Sequence, residues 1–173
     1  MQIDGHKKHS RLLIVSYSYS GNTHCIAQQI QALTGADWCE IYPWQPYPTA
    51  FPELLEQAGR EIESQRWPRL LPLSHLPHPY SAIFAGAPIW CGTIAPPLAS
   101  WLYRNDLAGK TIFPFYSHWG NALGEIERHI KKLCPKADVR GALAVRKDGG
   151  AGLEEAVEKW LSGLAQQGAF SEL

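Results

Sequence analysis

Five short apolar runs, rich in β-branched and aromatic residues, alternate along the chain with five segments whose apolar residues recur every three or four positions. Alternation of this kind folds as a parallel sheet with helical crossovers, because parallel neighbours need a connection long enough to hold a helix. The runs are Leu12 to Tyr17, Trp38 to Tyr42, Ala82 to Ala87, Thr111 to Tyr116 and Val139 to Val145. Several are apolar throughout, as strands covered on both faces must be. The helical stripes are Ile26, Ile30 and Leu33; Leu54, Leu55, Ala58 and Ile62; Leu98, Trp101 and Leu102; Leu123, Ile126, Ile130 and Leu133; and Leu153, Val157, Trp160, Leu161 and Leu164. Each stripe is one face wide, so each helix is expected to lie on the sheet with its other side in water.

A chain of 173 residues, 45% hydrophobic, carries one core, expected over 11–173 with residues 1–10 as a flexible tail. Sixteen basic against sixteen acidic side chains leave no field to hold a nucleic-acid backbone. No apolar stretch reaches the length of a membrane span, and the N-terminus has no signal-peptide core, so a cytoplasmic protein is expected. Cys25, Cys39, Cys91 and Cys134 are scattered without a paired spacing, as reduced thiols would be. Two proline-rich stretches, Pro43 to Pro52 and Trp67 to Tyr80, read as surface excursions packed over the edge of the sheet.

In a doubly wound sheet a ligand binds beyond the carboxyl ends of the strands, where the strand order reverses, so the strand-to-helix loops should carry the chemistry. After the first run comes Ser18-Tyr19-Ser20-Gly21-Asn22-Thr23, with hydroxyls, a glycine and a helix start but no Lys or Arg. It offers neutral donors to an anion, or alternatively an ordinary helix cap. After the third run, Pro88-Ile89-Trp90-Cys91-Gly92 brings a large flat ring to the same edge, and after the fourth so does Ser117-His118-Trp119-Gly120-Asn121. One loop suits a phosphate and two suit a planar ring.

These three segments together resemble the flavodoxin-like superfamily, and the resemblance runs from Arg11 to the last helix. It implies an α/β fold with a doubly wound, five-stranded parallel sheet of order 2-1-3-4-5 and helices on both faces, the order for which flavodoxin is itself the standard example. It also implies FMN as cofactor. Ser18, Tyr19, Ser20, Gly21, Asn22 and Thr23 would hold the phosphate. Pro88, Ile89, Trp90, Cys91 and Gly92 would line the flavin ring on one side, and Ser117, His118, Trp119 and Gly120 on the other. Trp90 is expected to touch the ring rather than the core. The chemistry would belong to the cofactor, with no catalytic acid or base and no metal.

Two departures from the electron-shuttle pattern matter. The chain is neutral where shuttles are acidic, and Cys91 stands where glycine commonly follows the tryptophan, which favours two-electron over one-electron chemistry because a Cβ resists positive φ. The partners implied are therefore a redox protein or a small acceptor such as a quinone. The alternative function is an NAD(P)H-dependent quinone or FMN reductase of the same superfamily. More remote are a serine hydrolase using Ser20, His118 and Asp138, for which the flanking glycines of a nucleophile elbow are missing, and a flavin-free interaction domain.

Overall fold

The computed structural model describes residues 11–120 and 125–169. The expected tail, together with Asn121 and Leu123, lies outside them. The elements follow as β1 (Leu12–Ser16), α1 (Asn22–Thr34), β2 (Asp37–Glu40), α2 (Phe51–Ser64), β3 (Ala82–Trp90), β4 (Thr93–Ile94), α3 (Pro96–Arg104), β5 (Thr111–His118), α4 (Ile126–Leu133), β6 (Asp138–Val139), β7 (Leu143–Arg146) and α5 (Leu153–Gln166). None of these helices is long and apolar enough to cross a membrane.

The sheet runs β2-β1-β3-β5-β6, with every neighbour along that path parallel and with β7 pairing β5 further along the same edge. Counting β6 and β7 as one interrupted strand and setting β4 aside, this is the expected order. The fifth run is thus not continuous: Arg140 to Ala142 leave the ladder, and Gly141 turns there with φ 40°. Side chains alternate across the sheet, so Leu13 and Val15 join one core with α2, α3 and α4, while Ile14 joins a second core with α1 and α5. Trp101 is fully buried in the first. Trp160 borders the second, edge-on to Phe84, and donates its indole N–H to the Gly141 carbonyl at 2.7 Å.

Two strands run further than their apolar runs suggested. β3 continues through Pro88, Ile89 and Trp90 because β4 folds back on it, pairing Ile89 with Ile94 and Trp90 with Thr93. The two residues between, Cys91 and Gly92, have φ of 49° and 78°, the signature of a tight hairpin turn. The segment expected as a ring-binding loop is therefore a hairpin with a two-residue tip. Likewise β5 extends through Ser117 and His118, because β7 pairs them with Val145 and Arg146. The two proline-rich excursions zip to each other: the Trp44 N–H donates to the Arg69 carbonyl at 2.7 Å and the Leu71 N–H to the Tyr42 carbonyl at 2.9 Å.

Candidate functional site

At the carboxyl end of β1 the chain turns into α1 through Gly21, whose φ of 91° excludes other residues without strain. Among the described residues no side chain caps this helix, and its first backbone bond, from the Cys25 N–H to the Gly21 carbonyl, leaves the N–H groups of Asn22, Thr23 and His24 without acceptors there. No acidic side chain stands in the first turn. The Ser18 hydroxyl oxygen is buried beside this turn and has no partner. Unpaired donors at a helix start, with the positive end of its dipole, attract an anion. Thr23 is different: its hydroxyl is buried and shares a 2.9 Å hydrogen bond with the Ser117 hydroxyl on β5. The expected ring-lining Ser117 thus braces the first loop from behind. Tyr19 is tied outward, its phenol donating to the Pro48 carbonyl at 2.9 Å.

Beside these loops lies a cavity of about 550 Å³ lined by Phe51, Leu55, Ile89, Trp90, Cys91, Gly92, His118 and Trp119. It is the size of a complete small-molecule site, and among the described residues none of its lining side chains is a carboxylate or an ammonium. Among the sequence-expected residues, Ile89, Trp90, Cys91, Gly92, His118 and Trp119 meet here. Pro88 and Gly120 do not line this cavity.

Trp90 lines the cavity and is also packed into the core. Only 5% exposed, its ring is packed edge-on by Tyr17, Tyr19 and Tyr47 at centroid distances of 5.6, 5.7 and 5.1 Å. It floors the cavity as part of the core rather than offering a free face, because the hairpin turns its side chain inward against the aromatic residues that follow β1 and β2. Trp119 is 67% exposed and carries the Lys147 ammonium 4.9 Å above its ring. Under Trp90, the Tyr47 phenol donates to the Glu61 carboxylate. Burial, then the charge of Glu61, pushes Tyr47 far up, and burial with the neighbouring Tyr19 and Glu61 does the same to Tyr17, so both phenols stay neutral. The Cys91 thiol donates to the Leu55 carbonyl at 3.6 Å, tying the hairpin tip to α2, and burial followed by the charge of Glu63 pushes its titration up.

Phe51 and Leu55 are the lining residues that the sequence reading missed. The signal was there: Tyr42, Trp44, Tyr47 and Phe51 follow β2, so their loop opens on the same sheet edge as the others. The hydrolase alternative fails on position. Asp138 pairs with Thr111 at the start of β5 and is bound by Arg140, whereas His118 ends β5, ~20 Å away at ~3.3 Å per residue. His24, on the helix that follows Ser20, is itself engaged by Glu40 at 2.7 Å. Among the described residues no group of three or more His, Cys, Asp or Glu side chains is placed to hold a metal.

A family model described as Flavodoxin matches residues 11–163. A candidate flavoprotein from Bacteroides eggerthii DSM 20697 superposes over 91% of this chain and 99% of its own, with a TM-score of 0.78 and 25% identity. A flavoprotein from Lactobacillus acidophilus NCFM, solved in complex with FMN, superposes over 88% of this chain and 99% of its own at a TM-score of 0.69 and 22% identity. Oxidised Flavodoxin 2 from Bacillus cereus covers 91% of this chain and 99% of its own at 0.55 and 18%. Comparison with curated protein sequences gives no match.

Proposed function

The chain belongs to the flavodoxin family, and from that premise we propose that it binds FMN and passes electrons through the bound flavin. The observation that carries the cofactor is the buried, unpartnered Ser18 hydroxyl beside an uncapped helix start. A buried hydroxyl without a partner destabilises a fold by about 1–3 kcal/mol, and a phosphate accepting its proton relieves that cost. Ser18, Ser20 and the N–H groups of Asn22 and Thr23 would hold the phosphate, all as neutral donors. Ile89, Cys91, Gly92, His118, Trp119 and Phe51 would line the ring, over the floor made by Trp90. Bound there, the flavin supplies the electron-accepting and electron-donating chemistry. The protein's own contribution would be a largely apolar wall, free of carboxylates among the described lining residues, over phenols held neutral.

A second reading is a reductase that takes hydride from NAD(P)H and passes two electrons to a small acceptor such as a quinone. It draws support from a cavity whose described lining carries no carboxylate or ammonium, with Phe51 and Trp119 exposed at it, and from a formal net charge of +0 rather than an acidic excess. The four free cysteines suit a reducing compartment, and we place the protein in the cytoplasm.

Titration of the protein with FMN and with riboflavin tests the cofactor reading. FMN should bind at least about tenfold more tightly, since the phosphate gains charge-assisted hydrogen bonds worth ~1.5–3 kcal/mol each. Equal affinities would remove the phosphate role from the Ser18 to Thr23 loop.

A further inference from the structure

We infer that the fold carries a second ligand site, bordered by β4 and the helices α2, α3 and α4, for a small organic acid with a single ring and one carboxylate. A cavity of about 210 Å³ lies there, smaller than the ~300–1,000 Å³ of sites for larger ligands. Among the described residues it shares no lining residue with the first cavity, so the inference is independent of the cofactor reading. One hairpin serves both: Cys91 and Gly92 at its tip line the first cavity, and Thr93 and Ile94 of β4 line the second.

The lining divides into an apolar wall and a polar rim. Trp67, Ile94, Ala99 and Leu133 supply the wall, and Thr93, His129, Lys132 and Gln65 the rim. The Thr93 hydroxyl is buried and lies 2.9 Å from His129 Nδ1. A hydroxyl donates as well as accepts, so when Thr93 donates to Nδ1 the imidazole carries its proton on Nε2 and can offer it to a ligand. Among the described residues no carboxylate lines the cavity, and none is paired with the Lys132 ammonium. Gln65 ends α2 at φ 53°, a left-handed position that glycine fills with less strain, so an amide stands where the backbone alone would favour none. Both α2 and α4 present C-terminal ends here, whose bare carbonyls would repel an anion. Carbonyls at both ends are covered: the Gln65 N–H donates to Ile62 at 3.3 Å, the Arg66 N–H to Glu61 at 3.1 Å and the Cys134 N–H to Ile130 at 3.1 Å. Arg104 adds positive charge at Trp67, its guanidinium donating to the Trp67 carbonyl at 3.2 Å. An ammonium, an imidazole N–H and an amide beside a flat apolar wall match one carboxylate on one ring.

The test titrates the full-length protein with benzoate and, separately, with benzyl alcohol, which keeps the ring and lacks the charge. The readout is the Trp67 indole N–H signal in ¹H–¹⁵N spectra, identified by its loss in Trp67→Phe. Benzoate should move that signal and bind about fivefold more tightly than benzyl alcohol, the upper range of an exposed ion pair. Lys132→Gln, at an exposed helix position, should weaken benzoate binding about two- to fivefold and leave benzyl alcohol binding unchanged. Saturating FMN should not displace benzoate. An unmoved Trp67 signal, equal affinities for benzoate and benzyl alcohol, unchanged benzoate affinity in Lys132→Gln, or competitive displacement by FMN overturns the second site. None of these results overturns the cofactor reading, which the FMN titration decides on its own.

Discussion

Ser18 and Thr23 sit five residues apart on either side of the turn into α1, yet the fold uses them in opposite ways. The Thr23 hydroxyl is spent on Ser117, so Thr23→Ala leaves a buried Ser117 hydroxyl unpaired and should lower stability by about 1–3 kcal/mol. Chemical denaturation should show Thr23→Ala with Ser117→Ala losing less than the sum of the single changes, because the partners leave together. Ser18→Ala removes an unpartnered oxygen instead. It should leave stability unchanged or raised while weakening FMN binding, read by the same denaturation and by titration. Cys91 is a third case. It already rests at φ 49°, so the left-handed strain that the sequence implied for a turning step is present in the fold as it stands. Cys91→Gly should therefore stabilise by ~1 kcal/mol, with a melting temperature about 2–4 °C higher, less whatever the thiol contact with Leu55 contributes.

Elements place these residues, and the contact between β3 and β5 is the tightest constraint on them. Gly86 in β3 lies over the Phe115 ring of β5, where an added Cβ would meet ring carbons at 2.1 to 2.6 Å. Both residues are buried at the centre of the sheet, so the ring has nowhere to go. Gly86→Ala should cost at least ~1–3 kcal/mol, and a lowered urea midpoint checks it. Because the Gly86 carbonyl also accepts the Tyr17 N–H at 2.9 Å just before the Ser18 loop, FMN affinity should fall in the same variant. β5 in turn carries Ser117 and His118 to the site, Ser117 between Pro88 of β3 and Val145 of β7, and His118 beside Arg146 of β7.

At the scale of the whole molecule, several tyrosines and cysteines are held protonated by burial, and their sum makes the fold sensitive to alkali. Burial pushes Cys134 up to about 11, and burial with the Asp37 hydrogen bond pushes Tyr80 up to about 12. Burial and Glu40 raise Tyr42, and burial and Glu127 raise Tyr116. Each folded value lies above the unfolded one, so the unfolded chain releases its proton first and gains stability as pH rises. The contribution to the folded state is therefore complete below about pH 9 and is lost as pH climbs through about 12. Melting temperatures measured from pH 8 to 12 should fall steeply over the upper part of that range, and a flat profile would contradict the raised titration of these groups.

The periodicity of apolar residues was enough to specify the α/β class and the parallel core, because burial on two faces, on one face, or on none leaves different repeats in a chain. The Ser18 to Thr23 loop was legible for a related reason: glycine, hydroxyls and a helix start are local features, and α1 begins where they do. What lay between distant segments was not legible. That Thr23 belongs to Ser117, that Trp90 faces three tyrosines instead of solvent, and that Phe51 and Leu55 wall the cavity are facts of packing between elements. A residue's partner across the fold is set by the register of strands and the angle of helices, to which every part of the chain contributes, and no local window contains it. Local sequence therefore marked the strand-to-helix edge of the sheet, and tertiary packing decided which side chains meet there and which are already engaged.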